Sequence, residues 1–399
     1  VFLDPGKLGE RMGRSPVFTV VELGFGAGLN FLVTATEFLK LQGPSTRLRF
    51  VSFEKHPLKL SDLEQIAKPW STSIPLFDTL YDQYPPAVPG WHRRFFGDGT
   101  IELSVFIGDV TSGMEDFLER DERGVDAWFL DGFSPDLNPA MWPESLLSRL
   151  HTRTCAGGSV TTFSSAGRVR RILDASGFHM ARINTSSDKR HSLLGWLTTN
   201  PFKPRLGPSE AVVAGAGLAG CAVANALAKK GINVTVIEPT GRIARVTSSL
   251  PSAITHARLS GSRSPEADRR VQGYTFSIPL IASNPTSVSK GILQLRSPNT
   301  TEAQLLSIKE MLGDWVQLVS ADRASAIAGV DLSEPAAYFP KSSVVSIPDL
   351  CRQLMRHPRI ELIKGVLKDH LSLTTILATG TAIPKRLRLP PLEVMAIPG

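Results

Sequence analysis

The sequence ELGFGAGLNFL, residues Glu22–Leu32, decides the fold of the first half of the chain. It follows an apolar run with the pattern of a β-strand, Val17–Leu23, and opens the helical pattern Leu29–Leu41. Glycines are needed where a backbone turns tightly and approaches a ligand without Cβ atoms in the way. In sheets of this kind, ligands bind at the carboxyl ends of the strands. The stretch therefore predicts a strand–loop–helix unit with a ligand site at the loop; a tight turn without a ligand is the alternative.

The rest of residues 1–200 continues this alternation of short strand-like runs and longer helical ones. The strand-like segments are Val17–Leu23, Leu48–Phe53, Leu103–Ile107, Ala127–Leu130, Ser159–Phe163, Phe178–Ile183 and Ser192–Leu197. The helical segments between them are Leu29–Leu41, Ser112–Glu119, Pro139–Leu150 and Gly167–Ser176. Such alternation predicts an α/β, Rossmann-like fold: a mostly parallel sheet of seven strands with helices on both faces, and an antiparallel pair at its end.

Acidic residues mark the ends of the first strands. Glu22 stands two places before Gly24, Glu54 ends the second strand, and Asp109 follows the third. An acid at such a position can accept hydrogen bonds from both hydroxyls of a ribose, and Asp109 is expected beside a nucleoside base. No Lys-Ser or Lys-Thr pair follows the glycines, as a phosphate-binding loop would require. The loop has the E/D-x-G-x-G-x-G pattern of S-adenosylmethionine (SAM) methyltransferases.

A second loop follows the predicted strand Ala127–Leu130. Its first residue, Asp131, is delivered to the edge of the sheet where a reaction would occur, and a carboxylate there can orient an amine and accept its proton. Phe133 could stack on a base, Pro135 restricts the backbone, and Trp142 could form a wall of the pocket. The alternative makes Asp131 a loop cap and both aromatic residues part of the core.

Three segments, ELGFGAGLNFL (Glu22–Leu32), DAWFLDGFSPDLNPAMW (Asp126–Trp142) and TFSSAGRVRRILDASGF (Thr162–Phe178), resemble the methyltransferase half of the MnmC family of bifunctional tRNA 5-methylaminomethyl-2-thiouridine biosynthesis proteins. The resemblance implies SAM-dependent methylation of the aminomethyl nitrogen on a wobble uridine in tRNA, with Asp131 in the catalytic position. It also implies a SAM site formed by Glu22, Gly24, Gly26, Gly28, Glu54 and Asp109. The basic cluster Arg168, Arg170 and Arg171 either contacts RNA phosphates or is a solvated face.

A further strand–loop–helix unit begins after the Pro- and Gly-rich stretch 201–209, which we interpret as a linker. Gly215, Gly217 and Gly220 form a GxGxxG motif, and Glu238 ends the next strand. This is the dinucleotide-binding fingerprint in its usual context. The motif alone does not distinguish FAD from NAD. The resemblance implies that residues 210–399 are an FAD-dependent oxidoreductase domain, which in the family removes the carboxymethyl group from carboxymethylaminomethyl-uridine.

Two departures from the family pattern concern this second domain. The chain reads RVTSSL at Arg245–Leu250, where the family carries a Gly-Ala-Ser-Gly-Asn stretch near the flavin. It also begins at Val1 and stops at Gly399, short of the family's full length. We therefore expect a chain truncated at both ends, with a nearly whole methyltransferase half and an FAD half that is unable to oxidise.

Composition supports a two-domain cytoplasmic protein. The 399 residues are 42% hydrophobic and 20% charged, and no apolar run is long enough to span a membrane. The cysteines at positions 155, 221 and 351 form no CxxC pair, which argues against zinc and a disulfide scaffold. The net charge is −2 over residues 1–200 and +9 over residues 201–399. The basic half suits a polyanion such as tRNA or is a solvated surplus.

These observations leave three functional hypotheses. The first is a monomeric, metal-free tRNA wobble-uridine methyltransferase joined to an FAD-dependent oxidoreductase domain. The second keeps only methyl transfer, with a C-terminal half that binds nucleotide or RNA without catalysis. The third is a non-enzymatic remnant whose second domain exposes apolar surface and aggregates.

Overall fold

A computed structural model describes residues 2–41, 46–67, 74–132, 137–164, 166–184, 192–199, 202–204, 207–257, 264–288, 291–296, 301–367 and 375–379. The chain divides into two compact units. The first comprises residues 1–206, 257–276 and 293–339, and the second comprises residues 207–256, 277–292 and 340–399. The sequence-based limits of the two domains, 1–200 and 210–399, stay a prediction.

The described part of residues 1–200 forms an eight-stranded sheet in the order β3-β4-β2-β1-β5-β6-β8-β7. Its strands are β1 (Val17–Leu23), β2 (Arg47–Glu54), β3 (Gly90–Phe96), β4 (Ile101–Ile107), β5 (Val125–Leu130), β6 (Thr154–Thr162), β7 (His179–Ile183) and β8 (Ser192–Leu197). The central strands β4, β2, β1, β5 and β6 run parallel. At one end β8 pairs antiparallel with both β6 and β7. The mostly parallel α/β sheet and its antiparallel terminal pair are thus confirmed.

The prediction of seven strands was wrong, because β3 forms an additional antiparallel edge beside β4. Its inward positions include two polar residues, His92 and Arg94, which are only 2% and 3% exposed. Burial lowers the pKa of His92 to about 4 and that of Arg94 to about 10. The His92 ring lies 2.7 Å from the Val88 carbonyl, and Arg94 Nε donates to the Gln83 carbonyl at 2.9 Å. Only Phe96 of the three buried β3 side chains is apolar, so an apolar-run criterion misses this strand.

Helices cover both faces of this sheet. They are α1 (Leu8–Met12), α2 (Leu29–Leu39), α3 (Leu60–Ala67), α4 (Phe77–Asp82), α5 (Val110–Arg120), α6 (Glu144–Leu147) and α7 (Gly167–Ala175). Alternate residues of β1 enter different cores: Val20 packs with α2, and Val21 packs with α5. The predicted continuous helix over 139–150 is wrong. Pro143, which donates no amide hydrogen, precedes α6 and separates it from the 3-10 turn Pro139–Met141.

The rest of the chain contains, in order, β9 (Glu210–Ala214), α8 (Leu218–Lys229), β10 (Asn233–Glu238), β11 (Ala253–Ile254), α9 (Pro265–Ala282), β12 (Ile292–Leu295), α10 (Glu302–Leu312), β13 (Gln317–Val319), α11 (Ala321–Ala328), β14 (Ala336–Phe339), β15 (Val344–Val345), α12 (Ile347–Leu354), β16 (Ile360–Lys364) and β17 (Thr375–Leu377). In the second unit, β16-β10-β9-β17 form a parallel sheet. The strand–helix–strand unit β9-α8-β10 that the glycine motif predicted is therefore present.

No helix among the described residues combines the length and the apolar character that crossing a membrane requires.

Candidate cofactor and acceptor site

The first glycine loop joins β1 to α2 at the carboxyl edge of the sheet. Gly24 and Gly28 have φ values of +90° and +76°, which L side chains rarely adopt. A Cβ atom on Gly24 would lie 3.1 Å from the Cα of Gly132, so this glycine permits the close approach of two loops. A Cβ atom on Gly28 would lie 2.7 Å from the Leu80 side chain. Gly28 therefore serves packing at the start of α2, and Gly24 shapes the loop.

A pocket of about 570 Å³ opens where β1, β2, β4 and β5 end. This volume lies in the range of sites for small molecules and cofactors. The residues that line it are Gly24, Phe25, Gly26, Ala27, Leu29, Asn30, Phe53, Glu54, Lys55, His56, Gly108, Asp109, Val110, Asp131, Gly132, Asn138, Ala140 and Met141. The structure thus brings Gly24, Gly26, Glu54, Asp109 and Asp131, which the sequence predicted, to one cavity.

Backbone amides hold the two strand-end acids in place. Glu54 accepts hydrogen bonds from Gly26 N at 2.9 Å and from His56 N at 2.8 Å. Asp109 caps α5 by accepting from Thr111 N at 2.9 Å, and Lys55 Nζ lies 3.5 Å from its other oxygen. Each carboxylate oxygen has a second lone pair available. Both residues can therefore accept hydrogen bonds from a ligand without losing their support.

Glu22 is placed differently from what the resemblance implied, because it is 1% exposed and is not among the pocket-lining residues. Its carboxyl accepts hydrogen bonds from Ser52 Oγ at 2.6 Å and from Asn30 Nδ2 at 2.8 Å. Burial raises the pKa of Glu22 to about 8, and the nearby Asp131 and Glu54 add to the increase. The Glu22 side chain supports the site from within the protein.

Asp131 follows the last residue of β5 and lines the pocket. Its Oδ1 accepts from Gly132 N at 2.9 Å, and its Oδ2 accepts from Asn30 Nδ2 at 2.8 Å. The carboxylate is therefore held through both oxygens at the pocket wall. Sequence reasoning missed Asn30, which stands two residues after the last glycine of the loop and has no distinguishing pattern.

Tyr84 is a second residue that sequence reasoning missed. Its hydroxyl donates to the Gly26 carbonyl at 2.6 Å and accepts from Leu58 N at 3.3 Å. Burial raises the pKa of this phenol. Tyr84 thereby fixes the glycine loop from outside the pocket.

The predicted substrate-binding residues fall into three groups. Phe133 and Pro135 lie outside the described residues. Trp142 is 2% exposed and packs in the core edge-on against Phe163; its neighbour Met141 lines the pocket. The basic residues of α7 (Arg168, Arg170 and Arg171) are exposed and are not among the pocket-lining residues. Arg170 lies 3.8 Å from Asp174 in the same helix.

The second glycine loop lies between β9 and α8. A Cβ atom on Gly220 would lie 1.9 Å from the Gly215 carbonyl oxygen, so only glycine allows this contact between turn and helix. Gly217 is the N-cap of α8. Glu238 accepts from Ala216 N at 3.1 Å, and Ser248 Oγ accepts from Leu218 N at 2.9 Å. The geometry is that of a dinucleotide-binding turn.

Comparisons with known proteins divide the chain in the same way. Residues 73–198 match the family described as S-adenosyl-L-methionine-dependent methyltransferase, and residues 210–361 match FAD dependent oxidoreductase. The fold and the two glycine loops thus define a SAM-type methyltransferase domain followed by an FAD-type oxidoreductase domain. The first match begins after Glu54 and does not cover Gly24, Gly26 or Glu54. The assignment of these three residues to the site is therefore based on their position in the pocket.

The chain is similar to MnmC proteins over most of its own length. It is 36% identical over 385 residues to the tRNA 5-methylaminomethyl-2-thiouridine biosynthesis bifunctional protein MnmC of Chromobacterium violaceum, an alignment that covers 92% of this chain and 58% of that protein. It is 35% identical to the MnmC of Ectopseudomonas mendocina, covering 91% of this chain and 57% of that protein. The chain therefore spans a little over half the length of these relatives.

Among the described residues, no group of three or more His, Cys, Asp or Glu side chains is arranged to hold a metal ion.

Proposed function

We propose that the first unit methylates the aminomethyl nitrogen of a wobble uridine in tRNA, giving the 5-methylaminomethyl group, with SAM as the methyl donor. The observation that carries this proposal is the Asp131 carboxylate, held at the pocket wall by Asn30 and by Gly132 N. The names of the relatives support the choice of tRNA and of the modified uridine.

The residues of the pocket fit SAM. Gly24 and Gly26 bring bare backbone to the cavity, and Glu54 and Asp109 offer acceptors for ribose hydroxyls and for polar groups of the base. When bound, SAM supplies a sulfonium methyl group, whose carbon bonds to the amine nitrogen while the carbon–sulfur bond breaks and its electron pair stays on sulfur.

Asp131 performs the proton chemistry of this reaction. The aminomethyl group is an ammonium ion near neutral pH and must lose a proton before its lone pair can attack. A carboxylate at the pocket wall accepts that proton and orients the nitrogen toward the methyl carbon. Alignment of two reactants in this way can lower a barrier by about 7–11 kcal/mol, which makes positioning the main contribution of the protein.

The substrate-binding residues complete the proposal. We propose that Phe133 and Pro135 contact the substrate base and that the exposed α7 residues Arg168, Arg170 and Arg171 contact tRNA phosphates. These three arginines are exposed on one short helix, where they are accessible to a phosphate backbone. Contacts of this kind position a nucleic acid without reading its sequence. We further propose that the protein acts as a cytoplasmic monomer.

For the second unit we propose FAD binding, with the pyrophosphate at the N-terminus of α8. Gly215 and Gly217 would let the backbone approach the pyrophosphate, Gly220 would allow the close packing of turn and helix that this needs, and Glu238 would hold the ribose. FAD-dependent removal of the carboxymethyl group from carboxymethylaminomethyl-uridine would supply the amine that the first unit methylates. The substituted segment Arg245–Leu250 favours the alternative in which this half binds nucleotide or RNA without oxidising.

The test is methyl transfer from labelled SAM to tRNA carrying 5-aminomethyl-2-thiouridine, with carboxymethylaminomethyl-tRNA in a parallel reaction. We expect label in the first tRNA and none in the second, which corresponds to a methyltransferase with an inactive FAD half. Label in both would mean that both halves act. The absence of label from folded protein in either reaction would overturn the methyl-transfer proposal.

A further inference from the structure

One side-chain nitrogen connects two acids from different strands. Asn30 Nδ2 lies 2.8 Å from Glu22 Oε1 and 2.8 Å from Asp131 Oδ2, so both of its hydrogens are committed to carboxyl groups. Glu22 belongs to β1, Asn30 to the first turn of α2, and Asp131 follows β5. The amide therefore ties the carboxylate at the pocket wall to a buried partner.

Glu22, the buried partner of Asn30, is held in place by a further hydrogen bond. Glu22 receives a second hydrogen bond from Ser52 Oγ at 2.6 Å, and both Glu22 and Ser52 are at most 1% exposed. The charged groups that face Glu22 are the carboxylates Asp131 and Glu54. Because burial raises the pKa of Glu22 to about 8, its carboxyl is mostly neutral at pH 7. A neutral anchor does not repel the Asp131 carboxylate.

We propose that Asn30 is a positioning residue for methyl transfer: it fixes the Asp131 carboxylate in the orientation that receives the amine proton, using buried Glu22 as its anchor. This inference rests on the proposed methyltransferase function and adds a role for a residue outside the predicted site. Gly132 N donates to Oδ1 of Asp131, and Asn30 donates to Oδ2. Without Asn30 the second oxygen loses this donor, and the carboxylate can rotate away from the substrate.

Two consequences separate positioning from general structural support. A hydrogen bond to the ionised form of an acid lowers its pKa, so loss of the Asn30 amide raises the pKa of Asp131. The acid limb of the pH–rate profile then moves to higher pH. A misplaced proton acceptor also reduces kcat by about 10- to 100-fold and leaves the affinity for SAM close to that of the wild type.

The experiment compares Asn30→Ala with Thr36→Ala in the same helix. The Thr36 hydroxyl donates to the Leu32 carbonyl of its own helix, at 2.8 Å, so its removal tests the effect of a polar deletion in α2. The measurements are kcat and KM with aminomethyl-uridine tRNA, the pH profile of kcat/KM, and SAM affinity by calorimetry. The expected result is a lower kcat and a shifted acid limb for Asn30→Ala alone.

Two results would overturn the inference: an Asn30→Ala protein with wild-type kcat and pH profile, or one that loses SAM affinity in parallel with activity. A carbon NMR titration of the Asp131 carboxyl, assigned by its disappearance in Asp131→Asn, tests the same point without turnover. If the wild type transfers no methyl group, the proposed function fails. The NMR titration still decides the Asn30 contact, since an unchanged Asp131 pKa in Asn30→Ala would refute it.

Discussion

Gly24, after β1, and Gly132, after β5, approach so closely that a Cβ atom on Gly24 would lie 3.1 Å from the Cα of Gly132. The two glycines belong to the loop that shapes the pocket and to the loop that carries Asp131. Because β1 and β5 are paired neighbours in the sheet, their loops leave the same edge side by side. The absence of a side chain at Gly24 therefore allows the glycine loop after β1 to lie close to the loop that carries Asp131.

Substitution of Gly24 by alanine tests this relationship. The new Cβ would contact Gly132 in a residue whose φ is +90°, so we expect a loss of about 1–3 kcal/mol in the free energy of unfolding and weaker SAM binding. Urea denaturation and calorimetry measure the two effects. Gly157→Ala is the control, because Gly157 also has a positive φ, of +76°, but no atom lies within 4 Å of the position of the new Cβ. Equal SAM affinities in the two variants would contradict the contact argument.

The proposed proton-accepting role of Asp131 is tested by Asp131→Asn, which keeps the shape of the side chain and removes its charge. We expect SAM affinity to persist and turnover to fall by about 10²–10⁴-fold. Asp62→Asn, at an exposed position of α3, makes the same change in net charge and should retain wild-type turnover. A parallel loss of SAM binding and turnover in Asp131→Asn would instead identify Asp131 as a structural residue of its loop.

Glu54→Ala should have the opposite effect and weaken SAM binding itself. The substitution removes the predicted ribose acceptor and also leaves Gly26 N and His56 N without their partner. We expect a larger Kd for SAM, measured by calorimetry, and a kcat at saturating SAM close to that of the wild type. If the affinity for SAM is unchanged, Glu54 is not the ribose acid.

The raised pKa of Glu22 makes stability depend on pH. In the unfolded chain this carboxyl has an ordinary pKa near 4.5, and in the folded protein the pKa is about 8, so the folded state binds more protons between these values. Stability therefore falls as pH rises from about 4.5 to 8, by up to about 1.4 kcal/mol per pH unit from this group.

Glu22→Gln should remove that part of the pH dependence, as measured by urea denaturation at pH 5, 7 and 9. Glu37→Gln on α2, where Glu37 is partly exposed and paired with Lys40, is the matched control and should follow the wild-type profile. A Glu22→Gln profile that parallels the wild type would mean that Glu22 is ionised throughout this range.

Sequence reasoning located the features that depend on local backbone requirements. Residue type and spacing predict the positions of the two glycine loops, of the acids at the ends of β2 and β10, and of Asp131 after β5; the roles of these residues stay predictions. The apolar pattern did not predict the edge strand β3. This strand buries His92 and Arg94 and therefore lacks the apolar run of its neighbours. Trp142 was expected in the pocket wall, whereas the chain turns Met141 toward the cavity.

The order of the two nucleotide-binding units and the residue types at their loops can be predicted from the sequence, because glycine, acid and apolar spacing act within a few residues of one another. Which polar groups meet depends on the packed fold. Asn30 and Asp131 are 101 positions apart and become partners because β1 and β5 lie side by side. Glu22 was expected in the wall of the pocket, and in the folded protein it is a buried support behind that wall. Its burial and hydrogen bonds depend on how the sheet packs and not on the order of residues.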